Sequence, residues 1–385
     1  MHLTELQLTD FRNYPEAHLS LAPGVSTLLG ANGQGKTNLI EAAGYLATLG
    51  SHRVSQDAPL VRHGAASALV RAQVVRRERP ARVELEIVPG RANRARLNGS
   101  PVSRPREILG TVRTVLFAPE DLAMVKGDPG ERRSFLDSLL VLRQPRWAGV
   151  IADYGKIVRQ RTAALKAGGG RSGRPRWDPA AVEVWDEHLA MMGGQLMYAR
   201  LRLTRDLTPL LAHAYDEVSA CDAGVHARYR ASVDDPVAAA VASGEVPEAE
   251  ELQRAILATI DTRREEELAR GVCLVGPHRD ELVLQLGELP ARGYASHGES
   301  WSFALGLRLA AYQLLRNDLG DDPVLILDDV FAELDTGRRE RLATLIADCE
   351  QVIITAAVAQ DVPAALAGDR FVIAGGAVHH GDHEP

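Results

Sequence analysis

Cysteines and aromatic residues are scarce in this 385-residue sequence, and long uncharged apolar runs are absent from it. The three cysteines are far apart and form no C-x-x-C pair, which argues against a zinc site or a disulfide framework. No stretch approaches the about 20 apolar residues that a membrane span requires, and the N-terminal segment lacks the apolar core of a signal peptide. We therefore expect a cytoplasmic protein without membrane contact.

Charge is unevenly distributed along the chain, although the apolar content of 45% and the charged content of 25% are those of an ordinary globular protein. The net charge is −7. Residues 1–115 carry 15 basic and 9 acidic side chains, whereas residues 271–385 carry 8 and 18. This asymmetry is compatible with a polyanion-facing surface in the N-terminal part.

Hydrophobic patterning divides the chain into three parts. Residues 1–115 and 271–385 contain short apolar or alternating runs that predict strands, whereas residues 116–270 contain long runs with helical spacing. We predict an α/β domain built from both ends of the chain, with a mainly helical lobe inserted between them. Residues 166–179, rich in Gly, Arg and Pro, predict a flexible loop, and residues 375–385 predict a frayed tail.

A glycine-rich turn between a predicted strand and a predicted helix fits the G-x-x-x-x-G-K-[ST] pattern of a P-loop. It consists of Gly30, Ala31, Asn32, Gly33, Gln34, Gly35, Lys36 and Thr37. Such a loop directs backbone N–H groups at phosphate oxygens, and the helix N-terminus favours the same anion. In this pattern the lysine contacts the β- and γ-phosphates and the Thr hydroxyl binds Mg²⁺. We therefore predict that ATP and Mg²⁺ bind here.

An apolar strand ending in two carboxylates, Asp328 and Asp329, complements the P-loop. Ligands of open α/β sheets bind at the carboxyl ends of the strands. We predict that Asp328 holds Mg²⁺ and that Asp329 orients the attacking water, with Lys36 as its catalytic partner. An acidic turn after a strand is the alternative explanation.

Ser296 and Gly298 precede an amphipathic run that starts at Trp301, about 30 residues before the acidic strand. They form a potential anion cradle at a helix N-terminus, although Ser and Gly at this position are also ordinary capping residues.

The order of these motifs, followed by Asp335 in the string Ala-Glu-Leu-Asp, resembles that of ABC-type ATPase heads, and the long middle segment is typical of the branch with an inserted lobe. Three further strings resemble the RecF family: residues 8–14 (LTDFRNY), residues 117–137 (FAPEDL to RRSFLD) and residues 276–282 (GPHRDEL). The matches span nearly the whole chain. We therefore identify it as resembling the RecF family of the SMC/ABC-type superfamily.

This resemblance implies an ATP-dependent homodimer that binds DNA, acts with the mediators RecO and RecR in recombinational repair, replication and the SOS response, and hydrolyses ATP weakly. It also implies that Ser296 and Gly298 of one subunit contact the γ-phosphate held by the other, with Asp335 at the same interface. The sequence departs from the family at Glu299, where Gln is common, and we expect this carboxylate to point away from the site. No histidine follows residues 351–355, and Thr355 is its candidate replacement.

Clusters of arginine in the N-terminal part are candidate DNA contacts. The main candidates are Arg76, Arg77, Arg79, Arg94 and Arg96, with Arg71, Arg82, Arg91, Arg132 and Arg133 as further ones. Each cluster is equally compatible with a solvated charged face. Because aromatic residues make up only 5% of the chain, we expect phosphate contacts rather than base stacking.

Two other functions remain open from the residues alone. A small-molecule phosphotransferase would also use a P-loop, but it leaves Ser296 and Gly298 without a role. A transporter-energising ATPase would need the switch histidine and would not need so large a middle segment.

Overall fold

The computed structural model describes residues 1–168, 179–221 and 223–381. Its strands are β1 (His2–Phe11), β2 (Tyr14–Ser20), β3 (Gly24–Leu29), β4 (Ala68–Arg76), β5 (Arg79–Ile87), β6 (Arg94–Leu97), β7 (Ser100–Pro101), β8 (Thr114–Phe117), β9 (Val225–Arg230), β10 (Glu281–Leu286), β11 (Leu289–Pro290), β12 (Val324–Asp328), β13 (Gln351–Ala356), β14 (Asp369–Ala374) and β15 (Ala377–His380). Its helices are α1 (Lys36–Thr48), α2 (Leu122–Lys126), α3 (Pro129–Arg143), α4 (Trp147–Gly168), α5 (Pro179–Ser219), α6 (Val237–Ala242), α7 (Ala249–Arg270), α8 (Ala291–Tyr294), α9 (His297–Leu319) and α10 (Thr336–Ile346).

The central sheet has the strand order β15-β14-β3-β13-β12-β8, and only β15 runs antiparallel to its neighbour. Every residue of β12 and β13 is buried. Such continuous apolar runs are typical of parallel strands covered on both faces. Parallel strands end at a common edge, so the P-loop after β3, the carboxylates after β12 and Thr355 in β13 lie at one edge of this sheet.

A second, antiparallel sheet has the order β2-β1-β4-β5-β6-β7. In β5 the apolar side chains of Val83, Leu85 and Ile87 are buried, whereas Glu84 and Glu86 are partly exposed. This confirms the half-buried strand that the alternating sequence predicts. Four of the candidate DNA-binding arginines alternate with the buried side chains of β4, β5 and β6 and so lie on the polar face: Arg71, Arg82, Arg94 and Arg96.

The 41-residue helix α5 is about 60 Å long and packs against α4, α7 and α9. Gly194 permits the close approach of α7, because a Cβ at this position would lie 2.6 Å from the carbonyl oxygen of Ala249. Arg161 is fully buried and donates to Asp186 and Glu267 at 2.5 Å each, which ties α4 to α5 and α7. None of the helices in the described part of the chain has both the length and the apolarity needed to cross a bilayer.

The structure differs in detail from the predicted organisation at three places. The predicted boundary at residue 115 falls inside β8, which pairs with β12 and so belongs to the central sheet. The middle part also contributes β9, which pairs with β10 in a small third sheet of order β11-β10-β9. Residues 377–380 of the tail predicted to fray form β15 instead, because Phe371 to Ala374 provide a pairing edge for them, whereas residues 382–385 lie outside the described residues. Most of the predicted loop 166–179 lies outside the described residues, and α4 extends into its beginning.

Candidate functional site

The P-loop residues connect β3 to α1 at the carboxyl edge of the central sheet. Gly30 lies so close to β14 that a Cβ would come within 2.4 Å of the Ile373 carbonyl oxygen. At Gly33, which has φ of +85°, a Cβ would meet no atom within 4 Å, so the space over the loop is open. The Lys36 side chain is buried, and its Nζ donates to the Gly30 carbonyl at 2.7 Å. The loop therefore wraps around the Lys36 cation, with open space beside Gly33.

The turn between β1 and β2 packs against the P-loop, a contact that the sequence did not predict. The Asn13 amide donates to the Gln34 carbonyl at 3.2 Å, and Asn38 of α1 donates to Asn13 Oδ1 at 2.7 Å. At Gly35, which has φ of +110°, a Cβ would lie 2.6 Å from the hydroxyl oxygen of Tyr14. The string Arg-Asn-Tyr after the first strand is therefore part of the phosphate-loop scaffold.

A second unpredicted contact fixes α1 itself. Glu41 is fully buried and accepts two hydrogen bonds from Arg12, at 2.8 and 2.6 Å, and one from Ser51 at 2.5 Å. Arg53 lies 3.6 Å from the same carboxylate and donates to Asn38. A buried Glu on the otherwise apolar face of α1 was the available sequence signal, because a buried carboxylate needs a cation.

Thr37, Asp328 and Thr355 meet beside the P-loop. Thr37 Oγ1 donates to Asp328 Oδ1 at 3.1 Å, and Thr355 Oγ1 donates to the same oxygen at 2.6 Å. Thr355 also accepts a 2.9 Å hydrogen bond from the backbone N–H of Asp329. The structure thus joins two residues predicted as metal ligands, Thr37 and Asp328, and places Thr355 against the Asp328 carboxylate and the Asp329 backbone.

Negative charge at this point is not fully compensated. Burial, and secondarily the neighbouring Asp329 carboxylate, raise the pKa of Asp328 to about 6. Asp329 has φ of +51°, and its Oδ1 is buried without a hydrogen-bond partner. Within the described ranges, no group of three or more His, Cys, Asp or Glu side chains could hold a metal ion by itself. One or two carboxylates completed by phosphate and water oxygens suit Mg²⁺, so these residues fit an Mg²⁺–triphosphate ligand.

Ser296 is the N-cap of α9 and forms a reciprocal capping box with Glu299. Ser296 Oγ accepts from the Glu299 N–H at 3.2 Å, and the Glu299 carboxylate accepts from the Ser296 N–H at 2.7 Å. Glu299 therefore turns back onto Ser296, contrary to the expectation that it points away, because it satisfies a free N–H group of the helix end. None of the hydrogen bonds of the exposed Ser296 side chain reaches the P-loop of the same chain, as far as the described residues extend.

Arg338 connects this helix start to the segment that contains Asp335. Its guanidinium donates to Ser302 Oγ at 3.0 Å and to Asp335 at 2.5 Å. Gly298 packs directly on it, since a Cβ there would lie 3.2 Å from both terminal nitrogens. Asp335 is the N-cap of α10 and accepts from the Arg338 N–H. The two motifs expected at a subunit interface are therefore joined within one protomer.

The candidate DNA-binding arginines fall into two groups. Arg76 pairs with Asp321 at 2.6 Å, Arg77 donates to the Leu319 carbonyl, and Arg94 lies 3.6 Å from Glu86. The side chains of Arg79 and Arg96 are exposed and have no ion pair or hydrogen bond with any residue that the structure describes. Glu84 neutralises Arg71 and Arg82 on the same face. The exposed face is therefore partly charge-balanced, and a DNA contact there stays a prediction.

Arg132 has a structural role instead of an exposed one. It is buried and donates to the carbonyls of Met124 and Gly127 and to Glu281 at 2.6 Å. His278, in the string 276–282 that resembles the RecF family, lies against α4, where its Nδ1 is 2.8 Å from the Tyr154 hydroxyl. Burial lowers the pKa of His278 to about 4. Both residues therefore stabilise the middle part of the chain.

Comparisons with known proteins agree with this geometry. The model of the RecF/RecN/SMC N-terminal domain family matches residues 2–372. The DNA replication and repair protein RecF of Kineococcus radiotolerans is 59% identical over 392 residues, covering 99% of this chain and 100% of that protein. The protein of the same name from Frankia alni is 59% identical over 379 residues, covering 98% and 99%.

Solved structures show the same similarity. The recombination mediator protein RecF-ATPrS in the RecFOR pathway superposes with a TM-score of 0.87 at 27% identity, covering 98% of each chain. An Smc head domain from Pyrococcus furiosus, with a TM-score of 0.53 at 17% identity, covering 98% of this chain and 95% of that chain, shares the fold. The chain therefore belongs to the RecF family of the SMC/ABC-type ATPase superfamily.

Proposed function

We propose that this protein binds ATP with Mg²⁺ at the P-loop and uses the nucleotide to join two copies around DNA during replication and repair. The observation that carries the proposal is the meeting of Thr37, Asp328 and Thr355 beside the P-loop, with the buried Oδ1 of Asp329 left unpartnered. The solved relatives named RecF-ATPrS and RecF-ATP support ATP as the nucleotide.

The chain supplies a distinct contact for each part of the ligand. The loop from Gly30 to Gly35 directs N–H groups to phosphate oxygens, and Lys36 exchanges its bond to the Gly30 carbonyl for the β- and γ-phosphates. Thr37 and Asp328 would hold Mg²⁺, which when bound neutralises phosphate charge. Asp329 is placed to orient water through its free Oδ1. Thr355 restrains Asp328 through its carboxylate and Asp329 through its backbone N–H, in the position where transporter ATPases keep a histidine.

Ser296 and Gly298 would complete the site from a second copy of the chain. In support, Ser296 is exposed and makes no hydrogen bond to its own P-loop among the described residues. A triphosphate held between two copies makes contacts available only to the dimer, so ATP favours the closed pair and loss of the γ-phosphate releases it. This function requires only weak ATPase activity.

DNA would be gripped through its phosphates, with Arg79 and Arg96 as the freest cations of the proposed set. Such binding is salt-dependent and weakly sequence-specific. RecO and RecR are proposed partners from the family resemblance alone.

The test measures the oligomeric state by sedimentation velocity with ATP, ADP or no nucleotide. We expect a dimer only with ATP and only for wild-type Lys36, whereas Lys36→Arg stays monomeric. Lys126→Arg, the same substitution at an exposed site on α2, is the matched control and should dimerise. A monomer under all conditions, or ATP-dependent dimers of Lys36→Arg equal to wild type, would contradict the proposal.

A further inference from the structure

We propose that Glu299 weakens the ATP-dependent dimer interface between two copies of the chain. It acts as a fixed negative charge beside Ser296 that opposes the approach of the γ-phosphate bound to the other copy. This inference rests on the proposed function, because it concerns the strength of the same dimer interface. It assigns a role to a side chain that neither nucleotide binding nor folding by itself requires to be charged.

Geometry places the Glu299 charge at the point of approach. Its carboxylate accepts the Ser296 N–H at 2.7 Å, and Ser296 Oγ accepts the Glu299 N–H at 3.2 Å. The backbone N–H of Ser296, which could otherwise be offered to an anion, is therefore already occupied. The Ser296 hydroxyl proton remains free to donate, since its oxygen acts only as an acceptor within the helix. A phosphate that accepts a hydrogen bond from this hydroxyl would lie within one helical turn of the Glu299 carboxylate.

The surrounding charges leave this carboxylate ionised and largely uncompensated. Hydrogen bonds from Ser296 lower the pKa of Glu299 below its ordinary range, so the group is negative at neutral pH. Arg338 is the nearby cation, but its guanidinium is engaged by Asp335 and Ser302. Tyr215 also faces Glu299, and burial together with the Glu299 charge raises the pKa of its phenol to about 12, so it is neutral.

A glutamine at this position separates charge from capping. Its side-chain carbonyl can accept the Ser296 N–H as the carboxylate does, because Gln serves in the same capping box. Its amide adds a donor where the wild type has a negative charge. Glu299→Gln should therefore preserve the start of α9 and strengthen the dimer interface. If Glu299 had only a structural role, its substitution could only weaken that interface.

The experiment compares monomer–dimer dissociation constants of wild type, Glu299→Gln and Glu340→Gln with Mg²⁺ and the non-hydrolysable analogue AMP-PNP, measured by sedimentation at 50 mM and 300 mM salt. Glu340 is exposed on α10, so its substitution changes the net charge equally without touching Ser296. We expect Glu299→Gln to dimerise about tenfold more tightly than wild type at low salt, equivalent to about 1.4 kcal/mol. The advantage should shrink at high salt because screening weakens repulsion between exposed charges.

Glu340→Gln should match wild type, and melting temperatures should be the same for all three proteins. A Glu299→Gln dimer no tighter than wild type would overturn this inference while leaving the proposed function intact. Absence of nucleotide-dependent dimers in every variant would overturn both. If Glu299→Gln alters the melting temperature, Glu299→Ala decides between the explanations: tighter dimers despite lower stability support the charge, and weaker dimers assign Glu299 to capping only.

Discussion

Thr355 Oγ1 donates a 2.6 Å hydrogen bond to Asp328 Oδ1, across the register of two adjacent parallel strands. Thr355 Oγ1 also accepts a 2.9 Å hydrogen bond from the backbone N–H of Asp329. One fully buried hydroxyl therefore fixes the Asp328 carboxylate and the backbone of Asp329 at the end of β12. In this chain β13 therefore restrains Asp328 and Asp329, in addition to any contact that it makes with the nucleotide.

Thr355→Val should damage the site while preserving its volume. The substitution leaves the Asp329 N–H and Asp328 Oδ1 without this partner, and we expect a loss of about 1–3 kcal/mol in the free energy of unfolding. ATP-dependent dimerisation should weaken as well. Urea unfolding and sedimentation measure the two effects. Thr344→Val, at an exposed position of α10, is the control and should leave both unchanged.

Asp328→Asn should stabilise the nucleotide-free protein and abolish its ATP response. The pKa of Asp328 rises from 3.8 to about 6 on folding, mainly through burial, so between these values the native state holds more protons than the unfolded state. Stability from this group is therefore lost as pH rises through that window, by about 3 kcal/mol at pH 7. Asparagine removes this loss. Urea unfolding from pH 4 to pH 7 should show a flatter profile for the variant, and an identical profile would refute the assignment.

Gly298→Ala should disturb the link between α9 and α10. Its Cβ would lie 3.2 Å from the Arg338 guanidinium nitrogens and would press that group away from Asp335 and Ser302. We expect at least tenfold weaker ATP-dependent dimerisation, equivalent to about 1.4 kcal/mol, with nucleotide binding to the monomer unchanged. Fluorescent-nucleotide titration and sedimentation separate these readouts. Gly155→Ala, in the middle of α4 with ordinary contacts, should behave as wild type.

Charge reversal should divide the arginines of the antiparallel sheet. Arg79→Glu and Arg96→Glu remove cations without ion-pair partners among the described residues, so we expect weaker duplex binding with a shallower salt dependence and an unchanged melting temperature. Arg76→Glu should instead lower the melting temperature, because it places a carboxylate against Asp321. Fluorescence anisotropy on labelled duplex and thermal unfolding measure these effects. Unaltered DNA affinity in both exposed variants would exclude this face as a DNA contact.

The parts of the site encoded by local sequence could be predicted. The P-loop between β3 and α1 and the carboxylates ending β12 follow from patterns within about ten residues, and the structure places both at one sheet edge. The N-cap role of Ser296 also follows from its immediate neighbours.

Long-range contacts could not be predicted in this way. Arg76 and Asp321 are 245 residues apart, so nothing near Arg76 indicates that it is paired. Arg132 reads as an exposed helical residue until Glu281 of β10 is placed beside it. The orientation of the Glu299 side chain depends on two opposing effects, the capping bond from the Ser296 N–H and repulsion by a bound anion. The expectation from the sequence gave the capping bond too little weight.

The strand order of the central sheet has a consequence for biosynthesis. β3 carries the P-loop, but both of its neighbours, β13 and β14, lie beyond residue 350. A growing polypeptide therefore emerges from the ribosome with its phosphate loop attached to a strand that has no partner, and this strand stays unpaired until residues beyond 350 are translated. Nascent chains should be unable to capture nucleotide, and they would depend on chaperones to shield that open hydrophobic edge.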